Sequence, residues 1–206
     1  SLGHVSQVLQ QLDLALTLAQ QTGDRTRIAA VLESLGRTYL VARKPDAAMQ
    51  HLTQALAMAQ ADENRRLIAA IHNDLGIAHI AQQRPADALA AFNTSAQRAQ
   101  AAGDRPLAVR AYINAARMAL ILKQPDNARN WLDQAFDALK DVEPSHDMAM
   151  NLIQVGLGYQ NLRASMPAMD SRPTRLGRPS GAAGKRLRTG ASMAMAHPRN
   201  EHGIEH

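Results

Sequence analysis

The stretch LESLGRTYLVARKPDAAMQHLTQALAMAQ, residues 32–60, returns twice more at a spacing of forty residues with no gap. Its second copy is HNDLGIAHIAQQRPADALAAFNTSAQRAQ, residues 72–100, and its third is YINAARMALILKQPDNARNWLDQAFDALK, residues 112–140. A fixed period of this length marks a chain built from stacked units. The register is kept by residues with separate tasks. Small residues recur at Gly36, Gly76, Ala116 and Gly156, each preceded by Leu35, Leu75, Ala115 or Val155. Ala48, Ala88 and Ala128 form a second small series. Leu12, Leu52, Phe92 and Leu132 supply a large apolar residue, followed by Ala15, Ala55, Ser95 and Ala135.

Each unit reads as two helices. Apolar and small residues recur at i, i+3, i+4 and i+7 on both sides of Pro45, Pro85 and Pro125, which is helical spacing and not strand alternation. Proline cannot continue the first helix but suits the first turn of the second. Asp46, Asp87 and Asp126 place negative charge in that turn, where the helix dipole favours it. Between units, Gly23-Asp24 and Gly103-Asp104 supply a glycine stop and a capping aspartate. The spacing predicts first-type helices near 26–42, 66–82, 106–122 and 146–162. Second-type helices are expected near 5–21, 46–61, 86–101 and 126–140. Glycine and alanine at the crossings let neighbouring helices approach closely; Gln82, by contrast, reads as a surface position.

The pattern resembles the tetratricopeptide repeat. Leu35-Gly36-Tyr39-Ala48-Leu52-Ala55 and Leu75-Gly76-Ala88-Phe92 follow that family's small–large code, and Ala116-Ala128-Leu132-Ala135 follows it more loosely. His79 and Ala119 stand where the family has tyrosine, its closing proline is absent, and the period is the longer, 40-residue one. The resemblance covers residues 5–162. It implies an all-α fold, a right-handed α-α superhelix of antiparallel helix pairs over residues 1–163.

Both ends of the array read as open. Helix 5–21 is a second-type helix without its partner, and 146–162 a first-type helix without its partner. Continuing the register would place Ala168, Arg172 and Arg175 at core positions, and two arginines cannot continue an apolar core. Residues 164–206 hold five Gly and four Pro and no aromatic residue, so this basic tail is expected to be disordered. A native tail and a truncated or out-of-frame coding end both suit that abrupt change.

Charge and composition narrow the chemistry. Residues 1–163 carry 16 Lys and Arg against 15 Asp and Glu, while 164–206 carry 7 against 3, so most of the +5 excess belongs to the tail. No nucleic-acid footprint spreads over the body. Nucleic acid or membrane contact is left to Arg172, Arg175, Arg178, Lys185, Arg186 and Arg188, as a lesser option. The chain has no cysteine, which removes disulfides, zinc–thiolate sites and cysteine nucleophiles. No phosphate loop, dinucleotide glycine pattern or nucleophile elbow occurs. His51, His72, His79 and His146 are scattered, and His197, His202 and His206 lie in the tail with Glu201 and Glu205. No enzyme, cofactor, metal site or small-molecule substrate is expected. Cytoplasm is the default location, since neither a leader nor a membrane span is read.

What remains is surface. In the family the first-type helices line a concave groove, and carrying its groove positions over gives Glu33, Arg37, Asn73, Ile77, Ile80, Arg110, Ile113, Asn114, Arg117 and Leu120 as peptide-binding candidates. The resemblance therefore implies a scaffold that holds a protein or peptide partner. The arginines, which can grip carboxylates through paired hydrogen bonds, point to an acidic one. Ile77, Ile80, Ile113 and Leu120 would accept its apolar side chains, and Glu33 would pair with Arg37 or an incoming basic residue. The alternative is a sensor region of a larger bacterial signalling protein, similar to arrays preceding CHAT-type peptidase domains or within transcriptional regulators.

Overall fold

The computed structural model describes residues 2–140 and 146–166. Eight α-helices run through them: α1 Leu2–Thr22, α2 Arg25–Val41, α3 Pro45–Ala61, α4 Arg65–Ala81, α5 Pro85–Ala101, α6 Arg105–Ile121, α7 Pro125–Leu139 and α8 His146–Ser165. The expected all-α solenoid and all eight expected helices are present, with most ends shifted by one residue. α8 is longer than expected and passes residue 163. The expected tail lies outside the described residues from 167 onward, as do Ala168, Arg172, Arg175 and the tail histidines.

The turns explain the period. Pro45, Pro85 and Pro125 each open a second-type helix whose capping position makes no side-chain hydrogen bond. First-type helices are capped by side chains instead: Asp24 accepts from the Arg27 N–H, Asn64 from Leu67 and Asp104 from Leu107, at 3.0–3.1 Å. Each satisfies one of the backbone donors that a helix start leaves free. Every one of these turns also passes through a single left-handed residue. It is glycine at Gly23 and Gly103 but Arg43, Glu63, Gln83 and Lys123 elsewhere. The N–H after each non-glycine one returns to the carbonyl five residues earlier, as from Lys44 to Tyr39 at 2.9 Å, a closure that stops the helix sharply.

Each helix packs on the next, and α2, α4, α6 and α8 also touch in succession. Among the described residues no two second-type helices touch. The first-type helices therefore form the inner, concave row, and the second-type helices the outer one. Between the rows lies the core, a series of apolar clusters in which Leu35, Leu52, Phe92 and Leu132 are wholly buried. The crossing glycines make room for those large side chains. A Cβ on Gly36 would lie 2.5 Å from Leu52, and one on Gly76 2.5 Å from the Phe92 ring. At the alanine series, Ser95 takes a buried small position and donates to the Ala69 carbonyl at 2.8 Å. That bond satisfies a hydroxyl that would otherwise be buried at a cost. Trp131 lies against three neighbouring parts of the core and stacks with Tyr112 at 5.9 Å.

Gln82 is not the inert surface position it reads as. Its side-chain amide donates to Asp46 at 2.8 Å and ties two adjacent units together.

Candidate concave binding face

The inner row carries a line of polar side chains that crosses three helices. From α6, Asn114 donates to the Asn73 side chain of α4 at 3.4 Å, and Asn73 donates to Asp74 at 3.2 Å. Asp74 faces Glu33 of α2. Arg37, one turn beyond Glu33, lies 3.5 Å from Glu33 and 3.9 Å from Asp74. Glu33, Asn73 and Asp74 are all buried, so these groups form the floor of the groove rather than its rim.

Two buried carboxyl groups side by side cannot both ionise cheaply. Burial, then the hydrogen bond and charge of Glu33, push the Asp74 carboxyl up to about 7. Asp74 Oδ2 meets no hydrogen-bond donor among the described residues. The protonated Asp74 carboxyl can then face Glu33 without a second negative charge beside it. Arg37 offsets part of the remaining charge from its exposed position.

The ten candidate residues fall into three groups. Glu33, Asn73 and Ile113 are buried, with exposures of 8%, 2% and 7%. Asn114 and Leu120 are half-buried. Ile77, Ile80, Arg37, Arg110 and Arg117 are exposed. Glu33 does pair with Arg37, so that arginine is already engaged within the chain. Arg110 and Arg117 make no ion pair or hydrogen bond among the described residues. Seven residues apart on one helix, they lie on the same face, about 10 Å from each other along the axis.

Two hollows flank the polar floor. One, of about 640 Å³, lies among α1, α2 and α4, with Val5, Val8, Leu12, Leu40 and Val41 as apolar wall and Arg37 and Asp74 on its polar side. The other, of about 750 Å³, lies at the starts of the inner helices and includes Glu33, Arg66, Arg110 and Asp147.

Asp74 and Arg66 are absent from the ten candidates. Asp74 occupies the sixth position of its unit, the place from which Asn114 was taken in the third unit; reading that position in every unit finds it. Arg66 sits in the first turn of α4, outside the family's groove positions, and only the stacking of helix starts brings it to the hollow.

Elsewhere the titratable groups serve packing. Burial and Arg98 lower His72, and burial and Arg84 lower His79, so both favour the neutral form. His51 stacks on Tyr39 at 5.2 Å. The Tyr159 hydroxyl donates to Asp133, and burial with that bond pushes it up to about 12. Among the described residues no group of three metal-binding side chains gathers, and no helix is long and apolar enough to cross a membrane.

Comparison with known proteins agrees with this architecture. Residues 67–141 match the family model of the tetratricopeptide repeat. No curated protein matches the sequence. The crystal structure of BtubC (BKLC) from P. vanneervenii is similar with a TM-score of 0.60 at 18% identity, covering 69% of this chain and 61% of that one. A Podosopora anserina protein of kinesin light chain type, with nearly identical TPR-like repeats, gives a TM-score of 0.62 at 16% identity, over 79% and 87%. At such identities the likeness speaks for the fold. The chain thus spans less than two thirds of the BtubC chain. Repeats of this family serve in general as protein-interaction scaffolds.

Proposed function

We propose that this tetratricopeptide-repeat protein is a non-catalytic scaffold whose inner row holds an extended, carboxylate-bearing peptide. The observation that carries the reading is the pair Arg110 and Arg117, exposed on the inner face of α6 and without a partner among the described residues. Their separation of about 10 Å matches one turn, three residues, of a peptide extended as polyproline II, which returns its side chains to the same face. Acidic groups three residues apart would therefore meet both guanidinium groups, each capable of two parallel hydrogen bonds to a carboxylate. The exposed Ile77 and Ile80 and the half-buried Leu120 offer apolar contact beside them. The preference for acid is confined to this stripe, because Arg37 is engaged by Glu33 and Asp74 and the neighbouring hollow mixes Arg66 and Arg110 with Glu33 and Asp147. A repeat body over 1–163, a basic tail over 164–206 and a cytoplasmic setting belong to the same reading.

Fluorescence anisotropy with labelled acidic and basic peptides tests it. Acidic peptides should bind, more weakly as salt rises. The Arg110→Ala, Arg117→Ala double variant should lose at least about tenfold in affinity, since each charge-assisted hydrogen bond contributes about 1.5–3 kcal/mol. Both side chains are exposed, so the variant should keep its fold. Preferential binding of basic peptides, or acidic binding untouched by the double variant, would refute the assignment.

A further inference from the structure

Glu33 and Asp74 come from adjacent units and meet on the groove floor with too few partners for two charges. They are 8% and 6% exposed. Among the described residues the Asn73 amide reaches Asp74 Oδ1 at 3.2 Å, and the Arg37 guanidinium stands 3.9 Å from Oδ2. The second distance is too long for a hydrogen bond. Glu33 has the Ser34 hydroxyl at 3.4 Å and the same guanidinium at 3.5 Å. One arginine thus serves two buried carboxyl groups. Burial without a matching set of donors favours the neutral form of an acid, and Asp74 is the member pushed up to about 7.

Arg37 connects this floor to the surface. Its side chain is 63% exposed, and it holds the register position of Ile77 and Arg117, one and two units further on. The three form one row across α2, α4 and α6. With Asp74 ionised, Arg37 stands against two carboxylates and the cluster keeps one net negative charge. With Asp74 protonated, Glu33 and Arg37 balance each other.

We infer that Asp74 is a proton switch on the groove: protonated, it lets Arg37 turn to an acidic partner, and ionised, it holds Arg37 down and repels that partner. The inference rests on the acidic-peptide reading above and adds a control to it. An acidic peptide then prefers the protonated form, so binding takes up a proton and affinity falls as the pH rises through about 7. The surroundings leave this role to Asp74. α2 brings Glu33 and Arg37, and α6 brings the neutral Asn114 by way of Asn73. Among the described residues α3 and α5, packed on α4 from the outer row, bring no charge that acts on the carboxyl. From α1, His4 lines the hollow that Asp74 borders, so it enters the test as a control.

NMR on the full chain without peptide reads the switch itself. The side-chain carboxyl carbon of Asp74 and the Nε of Arg37 should titrate together near pH 7. His4→Gln should leave that midpoint in place, and Asp74→Asn should hold the Arg37 signal still. Fluorescence anisotropy with an aspartate-rich peptide, ionised throughout pH 6–8, reads the coupling. Wild-type affinity should fall roughly three- to tenfold from pH 6 to pH 8, the effect of one charge added near a charged ligand in partly screened surroundings. Asp74→Asn should keep its pH 6 affinity at pH 8; if that variant loses helix content, the wild-type titrations decide alone. An Arg37 signal that does not follow Asp74, or equal wild-type affinity at pH 6 and pH 8, overturns the inference and leaves the acidic-peptide reading standing. Failure of the acidic peptide to bind at either pH overturns both.

Discussion

Gly76→Leu should lower stability by about 3 kcal/mol, whereas Gly156→Leu, the same exchange at the same place in the register, should leave dilute protein unchanged or slightly more stable. A Cβ on Gly76 would lie 2.5–2.7 Å from three carbons of the Phe92 ring. Phe92 is wholly buried and has no room to retreat, so α4 and α5 must move apart. Overpacking of this kind costs about 1–3 kcal/mol, and four added carbons against a fixed ring belong at the upper end. A Cβ on Gly156 would meet nothing within 4 Å among the described residues. There the exchange removes only the backbone freedom of glycine, a gain of roughly 0.5–1 kcal/mol in a helix. Denaturant midpoints measured side by side give the comparison. Equal midpoints would mean that the crossing position does not face a partner helix in α4, and the two-row packing would be wrong.

Asp74→Asn should make the protein more stable at pH 8 and flatten its stability profile below neutrality. The Asp74 carboxyl is raised from 3.8 to about 7 in the fold, so between those values the folded chain binds more protons than the unfolded one. Stability linked to this group is therefore fully present below about pH 4 and is lost as the pH rises through about 7. Asparagine keeps an acceptor for the Asn73 amide and presents an amide to Glu33 in place of a second negative charge. With each pKa unit corresponding to about 1.4 kcal/mol, the rise from 3.8 to about 7 sets the expected gain at pH 8 at no more than about 4 kcal/mol, dwindling toward pH 4. Parallel profiles for wild type and variant from pH 4 to 8 would show that the Asp74 carboxyl is not raised in the fold.

Most of the fold is legible because its signals are local and repeated. Proline at the start of each second-type helix, small residues at each crossing and a large apolar residue opposite them recur at one spacing, and each fixes a helix end or a contact. The turns are less legible. Arg43, Glu63, Gln83 and Lys123 adopt left-handed backbone without glycine, because closing the helix end outweighs the local steric cost. Asn64 likewise replaces the Gly-Asp signal of the neighbouring turns. Gln82 shows why surface reading fails at unit boundaries: its partner Asp46 is 36 residues away and only stacking brings them together.

The groove is less legible than the fold. Family positions place ten residues along the inner row but do not distinguish floor from rim. Asn73, reached by Asn114 of α6, and Ile113 sink below the surface, while Ile77 stays at the surface. The acid pair joins Glu33 of one unit to Asp74 of the next, and its pairing depends on how adjacent units stack, which spacing within a unit does not encode.

The central claim is that the inner row is the binding face, and amide chemical-shift mapping by NMR during titration with an acidic peptide tests it most directly. Perturbations should gather on α4 and α6, at Asn73, Ile77, Asn114 and Arg117, and should fade in the Arg110→Ala, Arg117→Ala variant. Perturbations centred instead on the outer helices, at positions such as Gln54 of α3 and Gln97 of α5, would contradict the account.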